Sequence, residues 1–439
     1  MQGKSGAKNI ERIDESVEGS SYQKLHHKIS TSPWEARPLM DEIARQADGL
    51  LGGGTRTRLL IDDTGIAKKG KKSVGAARQY SGRAGKVDNC QIAVCASLAT
   101  GQRSLLCDIR LYLPEAWCDD PARCAQAGIP EDQRHFRRKS DIALEMVLHQ
   151  RELGVRFDLI SVDSGYGSQT PFLHDLDEAG ETFVAEVHCD QHIFLEAPWP
   201  HFEPRRGRKP LQHPKPSTGS TRVDEWAAAQ PDTDWKRLKV RDSDQGWVEV
   251  NYMARRIWMM DGAVQKIWWL LTWENPDERR QEQSGKKISG PRCHYALSNA
   301  PAETDERRLV ADGVERNAIE RNFRDGKSET GMADYQVRGW LGWHHHMALV
   351  MLALLFLTQQ KMHWSPPPSQ PGHVPLTCGD LVFMLEKLLP EKGRGRPDPE
   401  QCRRLLEKRL AQRQRDQDRR KRKTAQERPP FLPDEIAPE

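Results

Sequence analysis

Three carboxylates stand where they could hold a divalent metal. Glu320 lies in a stretch of helical character. At about 100° per residue, Arg316, Glu320 and Lys327 fall at about 0°, 40° and 20° around the axis, on one narrow face. A carboxylate between two cations is commonly a structural ion-pair stripe. It also suits a metal-binding acid whose basic neighbours hold phosphates. Asp62 follows the apolar run Arg58-Leu59-Leu60-Ile61, and Asp163 follows the run Phe157 to Val162. Each precedes a glycine-containing turn, and a turn-forming aspartate is the plain reading of either. Taken with Glu320, they supply three hard oxygen donors.

Cutting and joining phosphodiesters near neutral pH needs an activated oxygen nucleophile and a stabilised leaving oxygen. Two Mg²⁺ ions about 3.5–4 Å apart do both. Mg²⁺ keeps several waters, so one or two carboxylates per ion suffice. The expectation is two Mg²⁺ ions, with Mn²⁺ as a substitute, on Asp62, Asp163 and Glu320 as ligands and catalytic residues. Asp62 and Asp63 are adjacent, and strand alternation sends them to opposite faces. Only one can join the metals, and spacing alone leaves the choice open.

The elements that must position these acids follow from the apolar pattern. Arg58–Ile61 reads as a buried strand that stops at Asp62-Asp63-Thr64-Gly65. Cys90–Leu98 and Ser104–Leu113 read as two strands joined by a tight turn at Gly101. Residues 114–138 are rich in Pro and charge and read as a long loop. Lys139–Leu153 is an amphipathic helix closed by Gly154. A strand over Phe157–Val162, a short helix near Gln169–Glu178 and a strand over Thr182–Val187 complete the run. Three strands with a hairpin and then alternating helices imply an α/β fold, a mixed sheet flanked by helices. That is the order of the ribonuclease-H-like fold, in which the ends of the first and fourth strands lie together. Residues 189–300 hold eight of the chain's 13 tryptophans and several strand-like runs, and read as an antiparallel β insertion before the last catalytic helix.

The expected organisation is therefore an N-terminal helical region (1–56), a first core segment (57–188), the insertion (189–300), a second core segment with the Glu320 helix (301–360), and a C-terminal helix with a basic tail (361–439). From Arg403 to Arg428 there are 12 Lys/Arg against 4 Asp/Glu, while the whole chain of 439 residues carries only +4. A basic tail on a near-neutral body suits phosphate contact. Nine cysteines lie scattered without a C-x-x-C pair, which argues against a zinc knuckle and for a reducing compartment. No apolar leader is visible, and the longest apolar run, Met347–Leu357, is too short to span a bilayer.

Four blocks give these residues a family context: Leu60–Gln91 (LIDDTGIAKKGKKSVGAARQYSGRAGKVDNCQ), Leu111–Cys124 (LYLPEAWCDDPARC), Ser161–Gly167 (SVDSGYG) and Asp334–His346 (DYQVRGWLGWHHH). In type and order they resemble the insertion-sequence seven-zero-one family of DDE transposases. That family is similar to a wider group of cut-and-paste transposases with a ribonuclease-H-like core and a β insertion. The group's signature is Y-x-x-R-x-x-x-E-x-x-x-x-x-x-K. Arg316, Glu320 and Lys327 match its last three positions, while Gly313 stands where the tyrosine is expected, which removes a phosphate contact. The group's D-x-T pattern favours Asp62 over Asp63, and Asp163 matches the second acid. Family members usually begin well upstream of Tyr22, so the expectation is a shortened copy with an intact core.

The resemblance implies DNA as partner, both the element's terminal inverted repeats and target DNA, and a homodimer on paired ends. It implies a prokaryotic cytoplasmic, nucleoid-associated protein with no membrane contact. Weaker candidates for DNA contact are Lys68 and Lys69 after the first acid, Arg206 and Arg208 as a minor-groove hook, and Tyr295 or His294 as a base-stacking residue. Trp340 and His344 are further candidates. A flexible loop, or packing in the core, is the plain alternative for each. His344, His345 and His346 point about 100° apart on a helix and cannot easily share one ion. Competing readings are a catalytically silent DNA-binding regulator of transposition and a structure-selective nuclease on the same fold.

Overall fold

The computed structural model describes residues 8–81, 85–201, 215–243, 246–262, 264–276, 293–334, 336–364, 375–388, 398–427 and 431–438. The chain forms two compact units. One comprises residues 1–157 with 317–418, the other residues 158–316 with 419–439.

The first unit is built on four antiparallel strands, β1 (Arg58–Ala67), β2 (Ala77–Ser81), β3 (Lys86–Thr100) and β4 (Arg103–Tyr112). β3 is central. β1 pairs along one edge of it, while β2 and β4 share the other. The expected hairpin turns at Gly101, whose φ of 53° lies in the left-handed region. β3 is buried without a break from Cys90 to Ala99, which marks a strand covered on both faces. The helices against these strands are α3 (Ala36–Leu51), α4 (Lys139–Glu152), α7 (Ala318–Glu329) and α8 (Trp340–Trp364), while α1 (Ile10–Ser16), α2 (Tyr22–Ser30) and α9 (Cys378–Leu388) pack chiefly on other helices.

Three expectations change here. β1 does not stop at Asp62 but runs on to Ala67, so both aspartates are mid-strand residues. The 114–138 stretch is not one long loop. It holds short helices over Glu115–Cys118 and Pro121–Gln126, the second started by Asp120, whose side chain accepts from Arg123 N at 2.9 Å. The apolar run 347–357 belongs to a helix of 25 residues, α8. By length and composition α8 would suffice to cross a membrane, but 56% of its apolar window is buried inside the protein. Its buried face, including Trp343, Met347, Met351 and Leu354, packs chiefly against α3 and β4.

The second unit holds a mixed sheet. β5 (Leu159–Val162) and β6 (Phe183–Val187) run parallel, with α5 (Thr170–Glu178) between them in sequence. β10 (Cys293–Ser298) pairs antiparallel with β6 and continues through β9 (Val264–Glu274) and β8 (Gly246–Asp261) to β7 (Lys236–Ser243). The tryptophan-rich strands thus extend one ladder. Trp269, Leu271, Trp273 and Tyr252 form its core with Leu309 and Val310 of α6 (Glu306–Val314). Residues 431–438 lie along the edge strand β7, where Ala437 N donates to Lys239 O at 3.0 Å and Ile436 bridges Lys239 in parallel. The basic tail is helical, α10 (Pro399–Glu427). The fold class is mixed α/β, a mixed sheet flanked by helices, compatible with the ribonuclease-H-like class.

Candidate active site

β1 is a buried strand interrupted by two polar residues. Its first four residues and Thr64 to Ile66 are buried, while Asp62 and Asp63 are half-buried. Carboxylates in such a strand are costly unless a partner or a ligand meets them. Asp63 has a partner. Its Oδ2 accepts from Lys139 Nζ of α4 at 2.6 Å.

Asp62 points to the other face. Cross-strand register sets it opposite Cys95, with Leu60 opposite Ser97 and Thr64 opposite Ala93. Residues two apart and directly opposite share one face. α7 lies over that face. Asn322 Nδ2 donates to Ser97 Oγ at 3.0 Å, and Lys327 Nζ donates to Thr64 Oγ1 at 2.6 Å and to Gly65 O at 3.1 Å. Burial pushes the Cys95 thiol well above its ordinary value. The Asp62 carboxylate adds to that rise and the Lys327 ammonium opposes it. Asp62, Cys95 and Lys327 therefore share one electrostatic neighbourhood.

α7 presents Glu320 at its exposed edge. Among the described residues no ion pair or hydrogen bond engages the Glu320 carboxylate. Ile319, Asn322, Phe323 and Gly326 form the buried face of the same helix. Arg316 departs from the expected stripe. α7 begins at Ala318, and Arg316 lies in a 3₁₀ turn over Glu315–Asn317. Its side chain is 13% exposed and its Nε stands 3.5 Å from Glu186 of β6, so it is a half-buried ion-pair member rather than an outward-facing cation.

In the second unit Asp163 directly follows β5 and caps the turn Ser164–Gly167. Its Oδ1 accepts from Gly165 N at 3.0 Å and Tyr166 N at 3.2 Å. The same unit explains the glycine at the signature's tyrosine position. A Cβ on Gly313 would lie 2.9 Å from Trp273 Cη2 and 3.2 Å from Cζ3. The Trp273 indole occupies the space a side chain would need. It also stacks on His294, ring centres 5.6 Å apart at 6°. Tyr295, the stacking candidate, is only 8% exposed and sits within β10. Its ring offers no open stacking surface.

The remaining candidates divide. Lys69 is exposed just past β1. Lys68 is half-buried, and burial pulls its pKa down to about 8 against the opposing charge of Asp334. Trp340 is half-buried and starts α8, with its N donating to Ala127 O at 2.8 Å. His344 turns its Nδ1 to the Trp340 carbonyl at 2.9 Å, and burial pushes its pKa down to about 4. It is neutral near pH 7 and is no cationic phosphate contact. His345 lies between the carbonyls of Ile29 and Trp34, and His346 meets the Gly331 carbonyl at 3.1 Å. The three rings diverge. Arg206 and Arg208 fall outside the described residues.

The donor set suits a hard divalent cation in type, since all three acids offer carboxylate oxygens. Among the described residues, however, no group of three or more His, Cys, Asp or Glu side chains closes on one point. Sequence reasoning missed Lys139, Asn322 and Trp273, whose roles depend on tertiary register.

The model of the DDE superfamily endonucleases matches residues 1–246 of this chain. The chain is also 30% identical over 191 residues to a probable transposase for insertion sequence element IS701 from Microchaete diplosiphon. That match covers 42% of this chain and 46% of the relative, so the aligned region spans about half the length of that protein.

Proposed function

The chain belongs to the DDE superfamily endonucleases, and from that premise we propose that it is a DNA transposase that cuts and joins strands at insertion-sequence ends. The observation that carries this reading is the face of β1 under α7. It presents Asp62, while Asp63 is spent on Lys139. Asp62, Asp163 and Glu320 are the proposed catalytic acids and would hold two Mg²⁺ or Mn²⁺ ions. When bound, such ions supply Lewis-acid activation of the attacking and leaving oxygens.

The protein's own part is positioning. Lys327 ties α7 to Thr64 and Gly65, which fixes the Glu320 helix against the strand carrying Asp62. The cap bonds on Asp163 hold one of its oxygens and orient the other. Exposed Lys69, next to the site strand, is a proposed phosphate contact. A homodimer on paired ends is the proposed assembly, checked by light scattering with and without end DNA.

The test is cleavage of DNA carrying the inverted repeats that flank the gene, with Mg²⁺ or Mn²⁺. Asp62→Ala, Asp163→Ala and Glu320→Ala each abolish nicking and strand transfer, while Asp63→Asn leaves both. Cleavage by Asp62→Ala at the wild-type rate would sink the assignment. That the described residues hold no cluster of three or more His, Cys, Asp or Glu side chains favours one second reading, a catalytically silent regulator. It predicts end binding with no nick in either metal.

A further inference from the structure

The catalytic reading leaves one projecting element unused. β1 pairs only with Cys90–Ala99 of β3, and β4 only with Ile92–Thr100. Residues 86–88 therefore pair with β2 alone, as Gln79 with Asp88, Tyr80 with Val87 and Ser81 with Lys86, while Asn89, opposite Arg78, also accepts from Lys68 N at 2.9 Å. Three residue pairs at about 3.3 Å each make a two-stranded ribbon roughly 10 Å long beyond the sheet. A lone ribbon is marginal in water unless tied down. This one is fixed at its base, where Asn89 Nδ2 donates to Lys68 O and to Gly70 O at 3.2 Å, and Gln79 Nε2 donates to Cys90 O at 2.7 Å.

Its outer face is apolar where solvent should favour polar groups. Tyr80 is 62% exposed and Val87, directly opposite, 52%. Alternation sets Arg78 on the same face. The surroundings are cationic. Arg78, Lys86, Lys69, Lys71 and Lys72 are exposed, and the three lysines belong to the loop that Asn89 holds. Among the described residues no ion pair neutralises any of these five. The nearest acid on the ribbon, Asp88, is half-buried and lies on the opposite face, which it shares with Lys86.

We propose that this ribbon enters the major groove of duplex DNA, with Tyr80 and Val87 against thymine methyl groups and Arg78, Lys86 and the loop lysines on phosphates. A major groove about 12 Å wide admits a two-stranded ribbon and displays the thymine methyl as its apolar feature. Phosphates complement the unpaired cations, whereas a second copy of the same ribbon would meet it with like charge. The inference rests on the DNA-acting reading for its class of partner, but it concerns binding alone.

The experiment therefore uses the full chain in EDTA, so that a failure of the catalytic assignment does not affect it. Fluorescence anisotropy compares a labelled A·T-rich duplex with the same duplex containing uracil for thymine, which lacks the methyls. The wild-type chain binds the thymine duplex several-fold more tightly. Tyr80→Ser with Val87→Thr weakens thymine-duplex binding about tenfold and erases the difference. Tyr80→Phe keeps both, which separates a lost contact from a lost fold. Arg78→Gln with Lys86→Gln lowers the slope of log K against log salt by about 2. Unchanged affinity and unchanged thymine preference in the Ser/Thr variant would overturn the proposal. So would loss of a solution dimer in that variant with DNA affinity per protomer intact, since the ribbon would then be a self-association surface.

Discussion

Two short polar runs in the first unit, Asp62-Asp63 in β1 and His344-His345-His346 in α8, meet opposite fates. The histidines look like the richer metal site by composition. Yet each ring turns to a different carbonyl, and His345 also stacks on Trp34 with centroids 3.9 Å apart. A helix spreads three neighbours around its axis, and a packed core then satisfies each one locally. A strand instead splits two neighbours cleanly between faces. One aspartate is neutralised by Lys139 and the other faces the helix that carries Glu320. The histidine run has its rings answered by nearby carbonyls, while the aspartate run sets one half-buried carboxylate on a helix-covered face, and that is the run to which the proposed function assigns the chemistry.

The comparison breaks most sharply inside the aspartate pair. Asp62→Asn is expected to lower end cleavage on the order of 10⁴-fold, while Asp63→Asn changes it less than about tenfold. Single-turnover cleavage on a gel reads both, and equal losses would put the two carboxylates in one role. The next effect lies on the histidine side. His345→Ala removes a ring held by Trp34 and two carbonyls, and costs about 3 kcal/mol of stability. Denaturant unfolding measures it, and a cleavage rate lost without a shifted midpoint would contradict a structural role.

Acid sharpens the contrast further. His344 and His346 both have pKa values pushed down to about 4 by burial. Their folded values lie below the unfolded one, about 6.5. Between those limits the unfolded chain takes up protons that the folded chain refuses, so stability falls as pH drops from about 6.5 towards 4 and is flat above. Melting temperature against pH shows this, and His346→Gln flattens the curve. The smallest expected change is Lys139→Met. The ion pair it breaks is partly exposed, and its loss costs about 1 kcal/mol or less by thermal melt.

Much of this was legible before the fold. The apolar runs mark β1, β3, β4, β5 and β6 because a strand covered on both faces must be continuously apolar. Gly101 marks the hairpin turn because its backbone takes the left-handed conformation that favours glycine. The D-x-T pattern pairs Asp62 with Thr64, and in the strand register these two share the face that Lys327 reaches. Periodicity misled at Arg316, because a 3₁₀ turn precedes α7 and rotates the residue towards Glu186. It also ended β1 too early, since polar aspartates inside a strand look like its end. Gly313 was legible only as an oddity. The indole of Trp273, brought in by a strand about forty residues earlier in sequence, explains it.

The segment 431–438 along β7 has a consequence for synthesis. β7, β8 and β9 leave the ribosome long before that segment does. Until it emerges, β7 presents an uncapped row of backbone donors and acceptors to any passing strand. Translation of the intervening residues is thus a window of vulnerability. A pause within it, or a message cut short before it closes, leaves a sheet able to recruit its neighbours on the polysome.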